Sequence, residues 1–178
     1  MGEVKDSKNW FVRHAEAEAK KDTLLYSDRV GNVAAVVVTF LVTLYFVVHQ
    51  TWATGFFTTK FDTLEMLLFY SVLIYQVVPT TLKALFCRKN LARLFEIFGA
   101  ILGTMVLAWF FVVFPFDFAY FADVLPSFLR FLLQWISNDI IRVLIVLGLI
   151  AAPVMAIYSA ILYMLVRREL SRNTLKPS

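Results

Sequence analysis

The chain has 178 residues, 60% of them hydrophobic and 18 of them Phe, with a net charge of +4 and a mean hydropathy of +0.73. A soluble domain of this size is about half apolar, and here the excess is gathered into long runs, which excludes an ordinary water-soluble fold. The basic excess is not collected on one soluble stretch, which removes nucleic acid as a partner, and the single cysteine, Cys87, excludes an internal disulfide or a cysteine-cluster metal site.

Residues 1–29 form a polar N-terminal unit, with a helix predicted over residues 6–26 from Ala15, Ala17, Ala19 and the i,i+4 pair Glu16–Lys20. Six acids balance six bases there, which argues against a polybasic lipid anchor and for a solvated helix on the cytoplasmic face. The first apolar run starts near Val30 and is too long for a cleavable signal segment. A first span is expected over 31–48. Gly31 and Ala35 permit close helix approach, and Thr39 and Thr43 place two hydroxyls one turn apart at depth.

The second span, about 63–82, opens on Asp62 and Glu65 at capping-box spacing. It carries Tyr70, Ser71, Tyr75 and Gln76, then Pro79, which is expected to bend it. Gln76 is the most polar group in any apolar run, and a side-chain amide in lipid needs a partner helix or a cavity. A short basic connection leads to the third span, about 94–114, where Gly99 and Gly103 make a GxxxG pair.

Between the third and fourth runs, Asp123, Ser127, Arg130, Gln134 and Asn138 are spaced four, three, four and four residues apart. That period predicts an amphipathic helix over 123–138 with Asp123 as N-cap and Pro126 in its first turn. Such a helix lies in the membrane interface or turns its polar stripe toward a vestibule. The fourth span, about 141–166, has 24 residues without a charge from Val143 to Val166, about 36 Å of helix against a hydrocarbon core of about 30 Å. Gly148, Ala152, Ala156 and Ala160 form a groove of small residues for helix packing, and Pro153 predicts a kink. Asp139 and Arg142 are i,i+3 partners if the helix begins early, and 171–178 reads as a frayed cytoplasmic tail.

Of the 17 basic residues, 14 lie before the first span, between the second and third, or after the fourth. The positive-inside rule then places both termini in the cytoplasm and 123–138 outside. The fold class is an all-α integral membrane protein: one membrane domain over 30–170 with four transmembrane helices in the cell membrane. His14 and His49 sit at opposite ends of the first span and cannot hold a haem between them. No HExxH, phosphate loop or nucleophile elbow is present. No enzyme activity, cofactor or metal is therefore expected. The expected function is a homo-oligomeric channel-like or transport protein, its path lined by Thr39, Thr43, Ser71 and Gln76 beneath an outer vestibule of Asp123, Ser127, Arg130, Gln134 and Asn138. The alternative is a structural or assembly subunit that binds other membrane proteins; in both cases the bilayer is a partner.

Overall fold

The computed structural model describes residues 26–86 and 89–174. They form four long helices: α1 (Tyr26–Thr51), α2 (Thr63–Phe86), α3 (Lys89–Val113) and α4 (Asn138–Thr174). Each contains a stretch long and apolar enough to cross a membrane: Val30–Thr51, Thr63–Lys83, Ala92–Val113 and Asn138–Arg168. Residues 6–25 of the polar N-terminal helix expected over 6–26, Cys87, Arg88 and residues 175–178 lie outside the described residues. The tail read as frayed from residue 171 is helical as far as Thr174.

Local chemistry sets the helix ends. Glu65 Oε2 accepts the Asp62 amide at 3.2 Å, one half of the expected capping box, while Asp62 Oδ1 accepts the adjacent Thr63 amide at 2.6 Å at the start of α2. Ser137 starts α4, its Oγ taking the Ile140 amide at 3.3 Å and its carbonyl the Ile141 amide at 3.1 Å. α3 stops at Val113 because Phe114 turns into the left-handed region (φ 40°) and Pro115 cannot continue a helix. Phe114 is held there by burial, with the Arg142 guanidinium 4.6 Å over its ring. Arg142 therefore serves Phe114 rather than Asp139. α2 and α4 both run through their prolines, Pro79 and Pro153, without interruption.

Packing follows chain order: α1 lies on α2, α2 on α3 and α3 on α4. Gly99 is a close approach between α2 and α3, since a Cβ there would stand 2.7 Å from the Tyr75 ring. That ring is pinned by its hydroxyl, which donates to the Phe95 carbonyl at 2.9 Å. A Cβ on Gly148 would meet Leu107 at 3.1 Å, while at Gly103 it would meet nothing within 4 Å. The Lys83–Glu96 ion pair joins α2 to α3 farther along. The main buried cluster lies at one end: Phe56, Val106, Phe110, Phe114, Phe116, Phe118 and Ile145. Elsewhere the helices turn apolar side chains outward, α1 most completely: none of its most apolar window is buried. Helices apolar on every face belong in lipid or in the core of a larger body.

The helix predicted over 123–138 is corrected. The segment contains a 3₁₀ stretch, Ser127–Leu132, flanked by turns, with Pro126 rather than Asp123 at its N-cap. Pro126 takes an extended ψ of 148°, and the following amides bond three residues back, Leu129 to Pro126 at 2.8 Å and Leu133 to Arg130 at 3.0 Å. Tertiary anchors compete with α-helix formation at both ends: the Phe121 carbonyl is engaged by α1 and the Asn138 side chain by the Phe118 amide.

Replacing Gly99 with Ala should push the Tyr75 ring off Phe95 and cost about 1–3 kcal/mol. Gly103→Ala should change stability by less than about 0.5 kcal/mol. Denaturant titration of the two variants in micelles, followed by circular dichroism, compares them.

Candidate functional site

Two connections, 52–62 and 114–137, meet over the same end of the helices. They touch through an isolated antiparallel bridge between Phe57 and Phe116. The Thr58 amide donates to the Pro115 carbonyl at 3.0 Å and the Asp117 amide to the Phe56 carbonyl at 2.7 Å. Next to that bridge Phe114, Pro115, Phe116 and Phe118 are all buried, and Asp117 between them accepts the Ala119 amide to start the 3₁₀ turn Phe118–Tyr120. Phe56, 1% exposed, is the hub. Its ring centroid lies 4.9 Å from Phe57, 5.1 Å from Phe118, 5.3 Å from Phe121 and 5.6 Å from both Phe46 and Phe116. Edge-to-face and offset pairs of this kind each add about 0.5–1.5 kcal/mol beyond the area they bury.

Polar side chains clasp this aromatic lid to the helices. His49, 1% exposed, reaches Thr54 Oγ1 with Nδ1 at 2.6 Å and the Phe121 carbonyl with Nε2 at 3.1 Å. A carbonyl only accepts, so Nε2 carries the proton, and in the neutral ring Nδ1 accepts from the Thr54 hydroxyl. The Tyr45 hydroxyl donates to the same carbonyl. Asn138 Oδ1 accepts the Phe118 amide at 2.7 Å, while its Nδ2 donates to Asp117 at 3.3 Å. Glu65, 6% exposed, accepts from Trp109 Nε1 at 3.0 Å and ties α2 to α3 just below. These clasps were not read as a site in the sequence; the signals for them were the period-two phenylalanines and a histidine closing an apolar run.

The five residues expected to share a polar stripe are divided. Asp123 and Arg130 form an exposed ion pair at 3.2 Å, and Arg130 also donates to the Leu125 carbonyl at 3.2 Å and the Asp123 carbonyl at 3.4 Å. Ser127 and Gln134 are exposed beside them, and Asn138 belongs to the lid. The same segment exposes large apolar rings, Phe128 at 72% and Trp135 at 64%. The hydroxyls expected along a path bond their own helices instead: Thr39 to Ala35 at 2.9 Å, Thr43 to Thr39 at 2.8 Å and Ser71 to Leu68 at 2.9 Å. Among the described residues no three His, Cys, Asp or Glu side chains come together as a metal site.

Beneath the lid lies a cleft of about 400 Å³ to which all four helices contribute. Phe46, Phe56, Phe116 and Phe118 close its lid end, and Leu73, Val106 and Ile145 form much of its wall. Gln76, Gly99 and Ala152 line its far end. Counted along α2, α3 and α4 at about 1.5 Å per residue, those three stand at one level, about 20 Å from the lid-side helix ends. Gln76 is the one residue of the lining with a polar side chain. A second groove, about 390 Å³, runs between α3 and α4 past Thr104, Pro153, Ala156 and Ala160. The small residues of α4 are thus shared out: Gly148 against Leu107, Ala152 on the cleft, Ala156 and Ala160 on the groove.

What these elements define is an all-helical chain with four helices of membrane-spanning length, closed at one end by an aromatic lid over an apolar cleft. No protein-family model matches the sequence, and neither curated proteins nor solved structures provide a significant match.

His49→Ala should remove both clasps to Thr54 and Phe121 and leave a void, a cost of about 2–4 kcal/mol. Hydrogen exchange at the Thr58 and Asp117 amides should accelerate with it. Arg130→Ala should cost less than about 1 kcal/mol, because the pair it breaks is exposed, and should leave those two amides as protected as before.

Proposed function

We propose that this is a multi-pass membrane protein that binds and transports a lipid, taking one hydrocarbon chain from the bilayer into the cleft beneath the lid. The observation that carries this is the shape of the cleft. It holds about 400 Å³ and runs from the lid phenylalanines to Gln76, Gly99 and Ala152, about 20 Å along the helices, with apolar side chains over that length. The volume falls within the range of about 300–1,000 Å³ usual for ligand pockets, and the lining is apolar in the way such pockets are. In hydrocarbon surroundings an apolar cleft of this size gains dispersion contacts from any chain that enters it.

The expectation of a transport protein carries over with its cargo changed. An ion path along Thr39, Thr43 and Ser71 is disfavoured, because those hydroxyls are spent on carbonyls of their own helices. The distribution of basic residues supports cytoplasmic termini and a lid on the outer side of the cell membrane. There the 123–138 segment lies in the interface, with Phe128, Phe131 and Trp135 among the headgroups and the Asp123–Arg130 pair toward water.

A second reading, association of copies through α1, is favoured by one observation. Gly31 would meet nothing within 4 Å on gaining a Cβ, and the apolar window of α1 has no buried residue. Gly31→Leu should then shift the oligomer toward monomer in nanodiscs, read by mass photometry.

The cleft is tested by filling it. Gly103 lines it and has room for a side chain, so Gly103→Trp should keep the helical fold while occupying the space. Lipid retained by the purified protein, quantified by mass spectrometry of extracts, should fall severalfold. Equal retention by the folded variant and the parent would refute the proposal.

A further inference from the structure

Gln76 is the odd member of the cleft. Gln76 is an exposed residue, and its side-chain amide has no hydrogen-bond partner among the described residues, on an otherwise apolar wall that the lipid reading sets in hydrocarbon. Four nearby hydroxyls are committed elsewhere. Thr80 donates to the Gln76 backbone carbonyl at 2.9 Å, Tyr75 to the Phe95 carbonyl at 2.9 Å, Ser71 to the Leu68 carbonyl at 2.9 Å and Thr104, on α3, to the Ala100 carbonyl at 2.7 Å. The nearest charges toward the far end, Lys83 and Glu96, are paired with each other. Where the surroundings of that exposed side chain are hydrocarbon rather than water, an amide without a partner is costly, so a polar group that enters the cleft gains more from Gln76 than from any other wall residue.

We propose that Gln76 recognises the oxygen-bearing end of a single-chain amphiphile, with the hydrocarbon tail running from it toward the lid. This rests on the reading of the cleft as a lipid site and assigns its chemistry. The amide offers a donor and an acceptor together, which matches a hydroxyl or a carboxylic acid with two hydrogen bonds and an ester carbonyl with one. The orientation follows from polarity along the cleft. At the lid end Phe46, Phe56, Phe116 and Phe118 present only ring carbons, and the nearby His49 nitrogens are already bonded to Thr54 and Phe121. At the far end stands Gln76, about 20 Å deeper. In a hydrocarbon core of about 30 Å with the lid outside, that level lies closer to the inner leaflet. The ligand is then an inner-leaflet amphiphile whose tail points outward. The two sources of that chemistry are a free long-chain alcohol or acid and one ester-linked chain of a phospholipid.

Photolabelling of the full chain in vesicles tests this with three probes, each bearing a diazirine at the tail end: hexadecanol, hexadecane, and a phosphatidylcholine with the diazirine on one hexadecanoyl chain. Hexadecanol should label the lid phenylalanines of the parent protein. Hexadecane should label them about 3- to 30-fold less at equal membrane concentration, the factor that one or two hydrogen bonds in lipid supply. Gln76→Leu should abolish the difference between the two, and Gln76→Asn should restore part of it. Labelling by the phosphatidylcholine with the same dependence on Gln76 assigns the site to a phospholipid chain, and its absence assigns it to the free amphiphile; both support the proposal. Equal labelling of the lid by hexadecanol and hexadecane in the parent overturns the role of Gln76 while leaving the cleft a hydrocarbon site. No lid labelling by any probe overturns both.

Discussion

The closure of one end of the helices depends on the contact between two loops that are far apart in the chain. The Phe57–Phe116 bridge, with its flanking Thr58–Pro115 and Asp117–Phe56 hydrogen bonds, joins the α1–α2 connection to the α3–α4 connection. With Phe56 at its centre, it gives the rings of Phe46, Phe116, Phe118 and Phe121 a common partner. The main helix–helix packing runs in chain order, α1 to α2 to α3 to α4. Contacts of the loops with α1 and α4 therefore link the two ends of that series, through Tyr45 and His49 on α1 and Asn138 on α4. Without them the cleft would have walls and no roof.

Hydrogen bonding is organised around the same division. At the lid end buried and part-buried polar groups are matched: His49 to Thr54 and Phe121, Glu65 to Asp62 and Trp109, Asn138 to Asp117 and Phe118. Within the spans, Thr39, Thr43, Ser71, Thr80 and Thr104 return their hydroxyls to helix carbonyls. A low-dielectric setting makes each unmatched group costly, so such matching is the expected outcome of folding. Gln76 stands outside it, on the wall of a cleft to which all four helices contribute. The lipid-binding proposal and the role given to Gln76 both draw on that contrast between an apolar space and a single amide.

The long helices were legible because their signal is local: apolar runs of sufficient length, Asp62 and Glu65 at capping distance, Pro115 after Val113. The 123–138 segment shows where local reasoning fails. Its polar residues have a helical period, but Arg130 turns back to Asp123 and Leu125, and Asn138 is taken by Asp117 and the Phe118 amide. Tertiary hydrogen bonds thus divided a pattern that spacing alone presented as one face. The candidate site was legible only in part. Gln76 stood out as a polar group in an apolar run, whereas its neighbours Gly99 and Ala152 were read as helix-packing residues and the aromatic roof was not read at all.

The sequence by itself determined four helices of membrane-spanning length and much of where they start and stop. Hydropathy, capping and proline act over a few residues and need no knowledge of the rest of the chain. Only the tertiary structure decided what those helices enclose. The alternation of Phe114, Phe116 and Phe118 has meaning once residues 56–58 lie alongside, and Gln76 becomes part of a site once α3 and α4 bring Gly99 and Ala152 to its level. Such contacts join residues tens of positions apart, and their energy comes from ring faces and hydrogen bonds that exist only when both partners are in place.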